Sequence, residues 1–166
     1  MAIKNTHDHI RHTVGHYIAA PGTAGTIEYG TALVLCDVSG NTTGITNWGT
    51  GEAGDPNNYV CPSSGIAGEI FAGISRSSVV DLDLSKRCFH ESFYSSATVE
   101  CRPLNVITDA LTSVDNIQAG GQPSAPSVAR LGPNGTFTTA GAGTIAGNFR
   151  GGIDSDGFAR VEIDLT

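Results

Sequence analysis

The chain alternates short apolar runs with clusters of turn-forming residues. Ala32-Leu-Val-Leu-Cys36 is an unbroken apolar run, followed by Gly- and Asn-rich residues from Asp37 to Gly44. Such a run, bounded by turn chemistry, predicts a strand from Thr31 to Val38 buried on both faces. Val80, Leu82 and Leu84 alternate with Asp81 and Asp83, which predicts a half-exposed strand. Thr98–Arg102 alternates again, and Val106–Val114 fits either a strand or one short helix. Ser127–Leu131, Thr136–Thr138 and the closing Phe158–Leu165 complete the series, with Phe158, Val161, Ile163 and Leu165 as inward candidates. No apolar stripe is sustained at helical spacing, so the prediction is an all-β fold.

Related segments recur in the same order in the two halves. Ile66-Ala-Gly-Glu-Ile-Phe-Ala-Gly-Ile74 aligns with Ile145-Ala-Gly-Asn-Phe-Arg-Gly-Gly-Ile153. Upstream of each copy, Gly40–Thr46 answers Gly132–Thr138, and Ile27-Glu-Tyr-Gly30 answers Ile117-Gln-Ala-Gly120. One β unit used twice accounts for this order, with an insertion at Asn47–Asn58 in the first half. The organisation expected is two related β-barrel-like or β-sandwich halves: an exposed N-terminal arm over residues 1–16, a first β unit over 17–76, connecting strands and an aromatic linker over 77–116, and a second β unit over 117–166. Asn47–Asn58 and Gly120–Pro126 read as loops, with Trp48 tucked beneath the first.

At 166 residues the chain is long enough to bury a core without staples. Its 22 glycines and low charged fraction suit many short strands and tight turns. The net charge of −7 argues against nucleic acid, which requires clustered cations to release counterions. The first residues lack the apolar core of a signal peptide, and no run is long enough to span a membrane, so a cytoplasmic site of synthesis is expected. The four cysteines, Cys36, Cys61, Cys88 and Cys101, are widely spaced and contain no Cys-x-x-Cys pair. They read as buried small hydrophobes, and if they bridge, three pairings are open. Asn41 and Asn134 head sequons that have no meaning without a secretory route.

The candidate chemistry is thin. His7, His9, His12 and His16 are candidate metal ligands, since His at i and i+4 on a helix lie on one face and neutral imidazole is a common ligand. The reading adopted is a solvated arm that orders only against a partner. Asp154-Ser-Asp-Gly157 resembles the opening of a calcium loop but lacks its downstream Glu and falls where a hairpin turn is needed. Asp81 and Asp83 share a strand face without a second carboxylate partner. Ser63 and Ser64, with Asp55 and His90, form a trio of the kind any chain with several His and many Ser offers. No nucleophile elbow, phosphate loop or metalloprotease run is present. No catalytic, cofactor-binding or metal residue is therefore assigned, and a non-enzymatic role is expected.

The order of Ile117-Gln-Ala-Gly120, Arg130-Leu-Gly-Pro-Asn-Gly-Thr-Phe-Thr138, Ile145-Ala-Gly147 and Asp154-Ser-Asp-Gly-Phe-Ala-Arg-Val161 resembles the small capsid decoration, or structural cement, proteins of tailed bacteriophages. The likeness recurs in Thr26–Ser75, whereas Arg76–Arg102 and Asn47–Asn58 have no counterpart in it. It implies a β-rich homotrimer on the capsid exterior, with the major capsid protein as partner, bridging neighbouring subunits through loops and arms. Multivalent bridging needs exposed contact surface and not a deep pocket. The competing reading is a carbohydrate-binding or adhesive β-sandwich, in which Trp48, Tyr29 and Tyr59 stack on sugar rings and Asp154 with Asp156 holds Ca²⁺.

Overall fold

The computed structural model describes residues 9–18, 27–37, 40–42, 45, 59–76, 88–90 and 99–165. These are all-β, with one 3-10 turn at Pro133–Gly135. The strands are β1 (His9–Ile18), β2 (Ala32–Cys36), β3 (Tyr59–Pro62), β4 (Phe71–Ser75), β5 (Cys88–His90), β6 (Val99–Val114), β7 (Ser127–Leu131), β8 (Phe137–Thr138), β9 (Ile145–Phe149) and β10 (Ala159–Asp164). They form one curled sheet in the order β1-β3-β2-β4-β6-β10-β9-β7-β8, with β5 on the start of β6. Because β1 also pairs with β6, the strands β1, β3, β2, β4 and β6 close on themselves.

As the apolar run predicts, every residue of β2 is buried. Leu33 and Leu35 face a cluster with Ile18, Ile27, Val60, Ala72, Leu104 and Val106. Ala32, Val34 and Cys36 face the opposite way, into a larger cluster that includes Leu131, Phe137, Phe149, Val161 and Ile163 from the second half. The central strands are thus a wall shared by two cores. Val106–Val114, ambiguous from sequence, is part of the 16-residue strand β6. Its β-branched Val106, Ile107, Thr108, Thr112 and Val114 are all buried, and partners on both flanks supply the hydrogen bonds that a helix would have supplied internally. In β10, Val161 and Ile163 point inward together with Ala159. Phe158 is half-buried and out of phase with that alternation, and Leu165 lies past the strand end and is exposed, so neither is core.

The exposed-arm reading fails for residues 9–16. They are strand β1, paired antiparallel with β6 from His9↔Leu111 to Ile18↔Arg102. The segment looked too polar to fold because a strand with one solvated face needs few apolar residues when its neighbours supply backbone partners. Residues 1–8 lie outside the described set, as do Asn47–Asn58 with Trp48 and the strand read at Ser77–Leu84.

Both halves carry the same pairing order. β2 lies between β3 and β4, and β4 pairs onward to β6; β7 lies between β8 and β9, and β9 pairs onward to β10. All of these pairs are antiparallel, and β6 and β10 join the halves. A bulge interrupts each inner pair at the same point: Leu33↔Gly73 is followed by Val34↔Phe71, and Ala129↔Gly147 by Arg130↔Ile145. The residues passed over are Ala72 and Ala146. Structure therefore matches Phe71-Ala-Gly73 with Ile145-Ala-Gly147, not Ile66-Ala-Gly68 as the longer sequence match suggests. Ile66-Ala-Gly68 is a loop, with Gly68 at φ 88°.

One consequence separates Ile74 from Ile153, which the sequence match makes equivalent. Ile74 is fully buried in β4, whereas Ile153 is only half-buried and outside any strand. Ile74→Ala is expected to cost about 2–5 kcal/mol, by lost burial and the cavity left behind. Ile153→Ala should cost about 1 kcal/mol. Urea melts giving equal costs would restore the original alignment.

Candidate interaction surface

Directly opposed residues of neighbouring strands share a face, so the registers define what the second half shows to solvent. One row runs Val128–Asn148–Glu162–Leu111–His9 across β7, β9, β10, β6 and β1. Arg130 and Ile145 are opposed on the same face, as are Asp164 and Asp109. Arg160 also points outward, beside Arg150, whose backbone N–H donates to the Arg160 carbonyl. Inward positions take Ala129, Phe149, Val161 and Ile163, so the alternation of β10 (Arg160, Glu162, Asp164 outward) follows directly from core demand.

This face is charged and partly apolar. Glu162 is held by Arg150 and, at 3.8 Å, by Arg11, whose Nε lies 3.2 Å from Asp109. These are exposed or half-exposed pairs, worth at most about 1 kcal/mol each, so stability does not account for them. Arg130 bonds the Gly143 carbonyl at 3.1 Å. Arg11, Arg130, Arg150 and Arg160 make up four of the nine basic residues in a chain of net charge −7. Among them stand Ile145 at 57% exposure, Val128 at 41% and, on the adjoining loop, Ile66 at 53%. Exposed bulky apolar side chains interspersed with arginines have the composition of a protein contact surface.

The loop bearing Ile66 is fixed to this face. Glu69 is buried, and its carboxylate accepts from Ser63 Oγ at 2.7 Å, Ser64 Oγ at 2.6 Å, Ser64 N at 2.9 Å and Gly65 N at 3.2 Å. The Glu69 carbonyl accepts from Thr144 Oγ1 at 2.7 Å, immediately before Ile145. Gly65 packs so closely on Pro133 that a Cβ there would stand 2.7 Å from the proline nitrogen. A buried carboxylate satisfied by several donors thus holds Ile66 in place.

The residues singled out from sequence go elsewhere. Ser63 and Ser64 serve Glu69, Asp55 lies outside the described residues, and His90 is on β5. His9, His12 and His16 lie on a strand, where a spacing of four residues spans about 13 Å and cannot converge on one ion. His12 is exposed and bonds Thr108 Oγ1 at 2.8 Å, while His16 is buried; His7 is not among the described residues. Among the described residues no group of three or more His, Cys, Asp or Glu is placed to hold a metal. In Asp154-Ser-Asp-Gly157, Asp154 Oδ1 accepts from the backbone N–H of Asp156 and of Phe158, both at 2.9 Å, and so shapes the turn between β9 and β10. Asp81 and Asp83 are outside the described residues. Tyr59 is buried and Tyr29 packs on the larger core cluster, so neither is a free stacking platform.

Sequence reasoning missed the outward row. The signal was present in Arg160-x-Glu162-x-Asp164, whose alternation marks a solvated face, but the surrounding strands had to be ordered before that face had neighbours. Comparison with protein-family models, curated proteins and solved structures returns no match.

Proposed function

We propose that the protein is a capsid decoration protein that seats on the outer surface of a tailed phage head and stabilises contacts between major capsid protein subunits. The carrying observation is the broad outward face of β7, β9, β10, β6 and β1, where Ile66, Val128 and Ile145 stand exposed among arginines. Protein contact surfaces combine apolar anchors with Arg in this way. The resemblance of Ile117–Val161 to cement proteins points to the same partner, and its implied homotrimer would present several such faces at once, multiplying weak contacts. The repeated pairing order supports an internal duplication: two copies of one β unit, fused through β6 and β10. In this reading the protein acts at the virion exterior after assembly in the host cytoplasm, without catalysis, nucleic acid or membrane.

The test is co-sedimentation with empty shells of the tailed phage that carries the protein. Wild type should pellet with shells, and Ile145→Asp or Arg150→Glu should weaken binding at least tenfold while shifting the thermal midpoint by no more than about 2 °C, since both sites are exposed. Wild type that stays in the supernatant, or variants that bind as well as it does, would sink the proposal. Glycan binding without shell binding would move the protein to the adhesive β-sandwich reading. Light scattering that finds only monomer, with and without shells, would remove the trimer.

A further inference from the structure

The one Asn-Gly step of the chain lies where its two halves meet. Of all the asparagines, only Asn134 precedes a glycine. Its side chain is exposed on the 3-10 turn, in a left-handed conformation (φ 56°, ψ 34°) that asparagine tolerates better than most residues. Gly135 is buried against the first half. Its N–H donates to the Ser63 carbonyl at 2.8 Å, and its own carbonyl accepts from Asn116 Nδ2 at 2.8 Å. A Cβ on Gly135 would stand 3.0 Å from the Ala32 carbonyl oxygen and collide with Thr31 Cγ2. Thr136 closes the turn, donating from its backbone N–H and from Oγ1 to the Pro133 carbonyl at 3.2 and 2.7 Å.

An asparagine side chain is open to attack by the following backbone nitrogen, and glycine in that position has no Cβ to obstruct the ring that forms. We propose that Asn134 is a deamidation site gated by this joint, closed while Gly135 is docked on Ser63 and open when the halves part. In the open state the Gly135 nitrogen gives its proton to hydroxide and bonds to Asn134 Cγ. The Cγ–Nδ2 bond breaks, and the side-chain nitrogen leaves as ammonia with a proton taken from water. Water then adds across one of the two ring C–N bonds, leaving aspartate or isoaspartate. One water is consumed and one ammonia released overall, and nothing is oxidised or reduced.

Docking blocks the reaction at its nucleophile. The Gly135 nitrogen is the donor in the bond to Ser63, so its proton is held, and a buried backbone N–H held in this way is released only through local opening. The same joint makes the change one-way. Isoaspartate routes the main chain through the side-chain carbon and adds one carbon before Gly135, at a point with no room even for a Cβ. A joint that has opened and reacted in this manner cannot close in its original register.

The experiment incubates the purified full chain in mildly alkaline buffer, folded and in denaturing urea, and follows aspartate and isoaspartate formation by peptide mass mapping. In urea the first asparagine lost should be Asn134, and in the folded chain its loss should be slower by at least about tenfold. Asn116→Ala, which removes the side-chain donor to the Gly135 carbonyl, should speed the loss several-fold in the folded state and leave the rate in urea unchanged. Urea held below the unfolding transition tests the gate without a substitution, because the rate at Asn134 should climb before the fold is lost. After urea is removed, chains carrying isoaspartate should fail to recover the wild-type thermal midpoint, whereas Asn134→Asp, with the same charge but no added backbone carbon, should recover it. Equal rates in folded and unfolded chains, first loss at another asparagine, or a folded rate that neither Asn116→Ala nor dilute urea changes would overturn the gated site. Isoaspartate chains that regain the wild-type midpoint would overturn the one-way joint.

Discussion

Removing Met1–Gly15 is expected to abolish cooperative thermal unfolding. Residues 9–15 make up most of β1, the strand that bridges β3 and β6 and closes the first half of the sheet. Without it, β6 loses its partners from Asn105 to Leu111, leaving a long unpaired edge. Ile10, which packs against the larger core cluster, is removed with it. Each lost backbone hydrogen bond costs on the order of 1 kcal/mol, and opening a core costs more. Together these approach the whole stability of a domain of this size, about 5–15 kcal/mol. Circular dichroism against temperature should show a sigmoid for the full chain and none, or one shifted down by more than about 15 °C, for the truncation. A midpoint within about 2 °C of the full chain would return these residues to the status of an arm.

That prediction reverses what the sequence suggests, and the reason is physical. Hydrophobic pattern reports how much of a residue's surface is buried, so it is clear where both faces are covered, as in Ala32–Cys36, and where alternation is strict, as in Val161 and Ile163. It is silent about strands held mainly by backbone pairing. His9–Ile18 carries His9, Arg11, His12 and Gly15 on exposed positions, and only its partner β6 makes it a strand. The all-β class was legible because turn residues punctuate the whole chain. The contact face was not, because Val128, Ile145 and Glu162 are far apart in sequence and become neighbours only through pairing across β7, β9 and β10. The recurring segments are visible in the sequence, but their longest identity pairs Ile66-Ala-Gly68 with Ile145-Ala-Gly147, whereas the bulges match Phe71-Ala-Gly73 to it.

The second large effect tests that role. Gly73 and Gly147 each follow the alanine passed over by a bulge, and each lies under a carbonyl of the next strand: a Cβ on Gly73 would collide with the Ile107 oxygen, and one on Gly147 with the Glu162 oxygen. Neither obstacle is a flexible side-chain tip. To make room, β4 must separate from β6, or β9 from β10, along a buried seam. Gly73 carries a second constraint, φ 132°, which L side chains rarely adopt. Overpacking costs about 1–3 kcal/mol and a disallowed dihedral a further 1–3. Gly147→Ala is accordingly expected to lose about 3 kcal/mol, and Gly73→Ala more than that, in guanidinium or urea melts. Gly15→Ala is the control, because a Cβ there meets nothing within 4 Å, and its change should stay within about 0.5 kcal/mol. If Gly147→Ala is as mild as Gly15→Ala, the close approach of β9 to β10 is not a constraint. The matched bulges would then give no support to a shared ancestry of the two halves. If both strand glycines are costly, the same device holds the same seam twice, which is the behaviour a duplicated β unit requires.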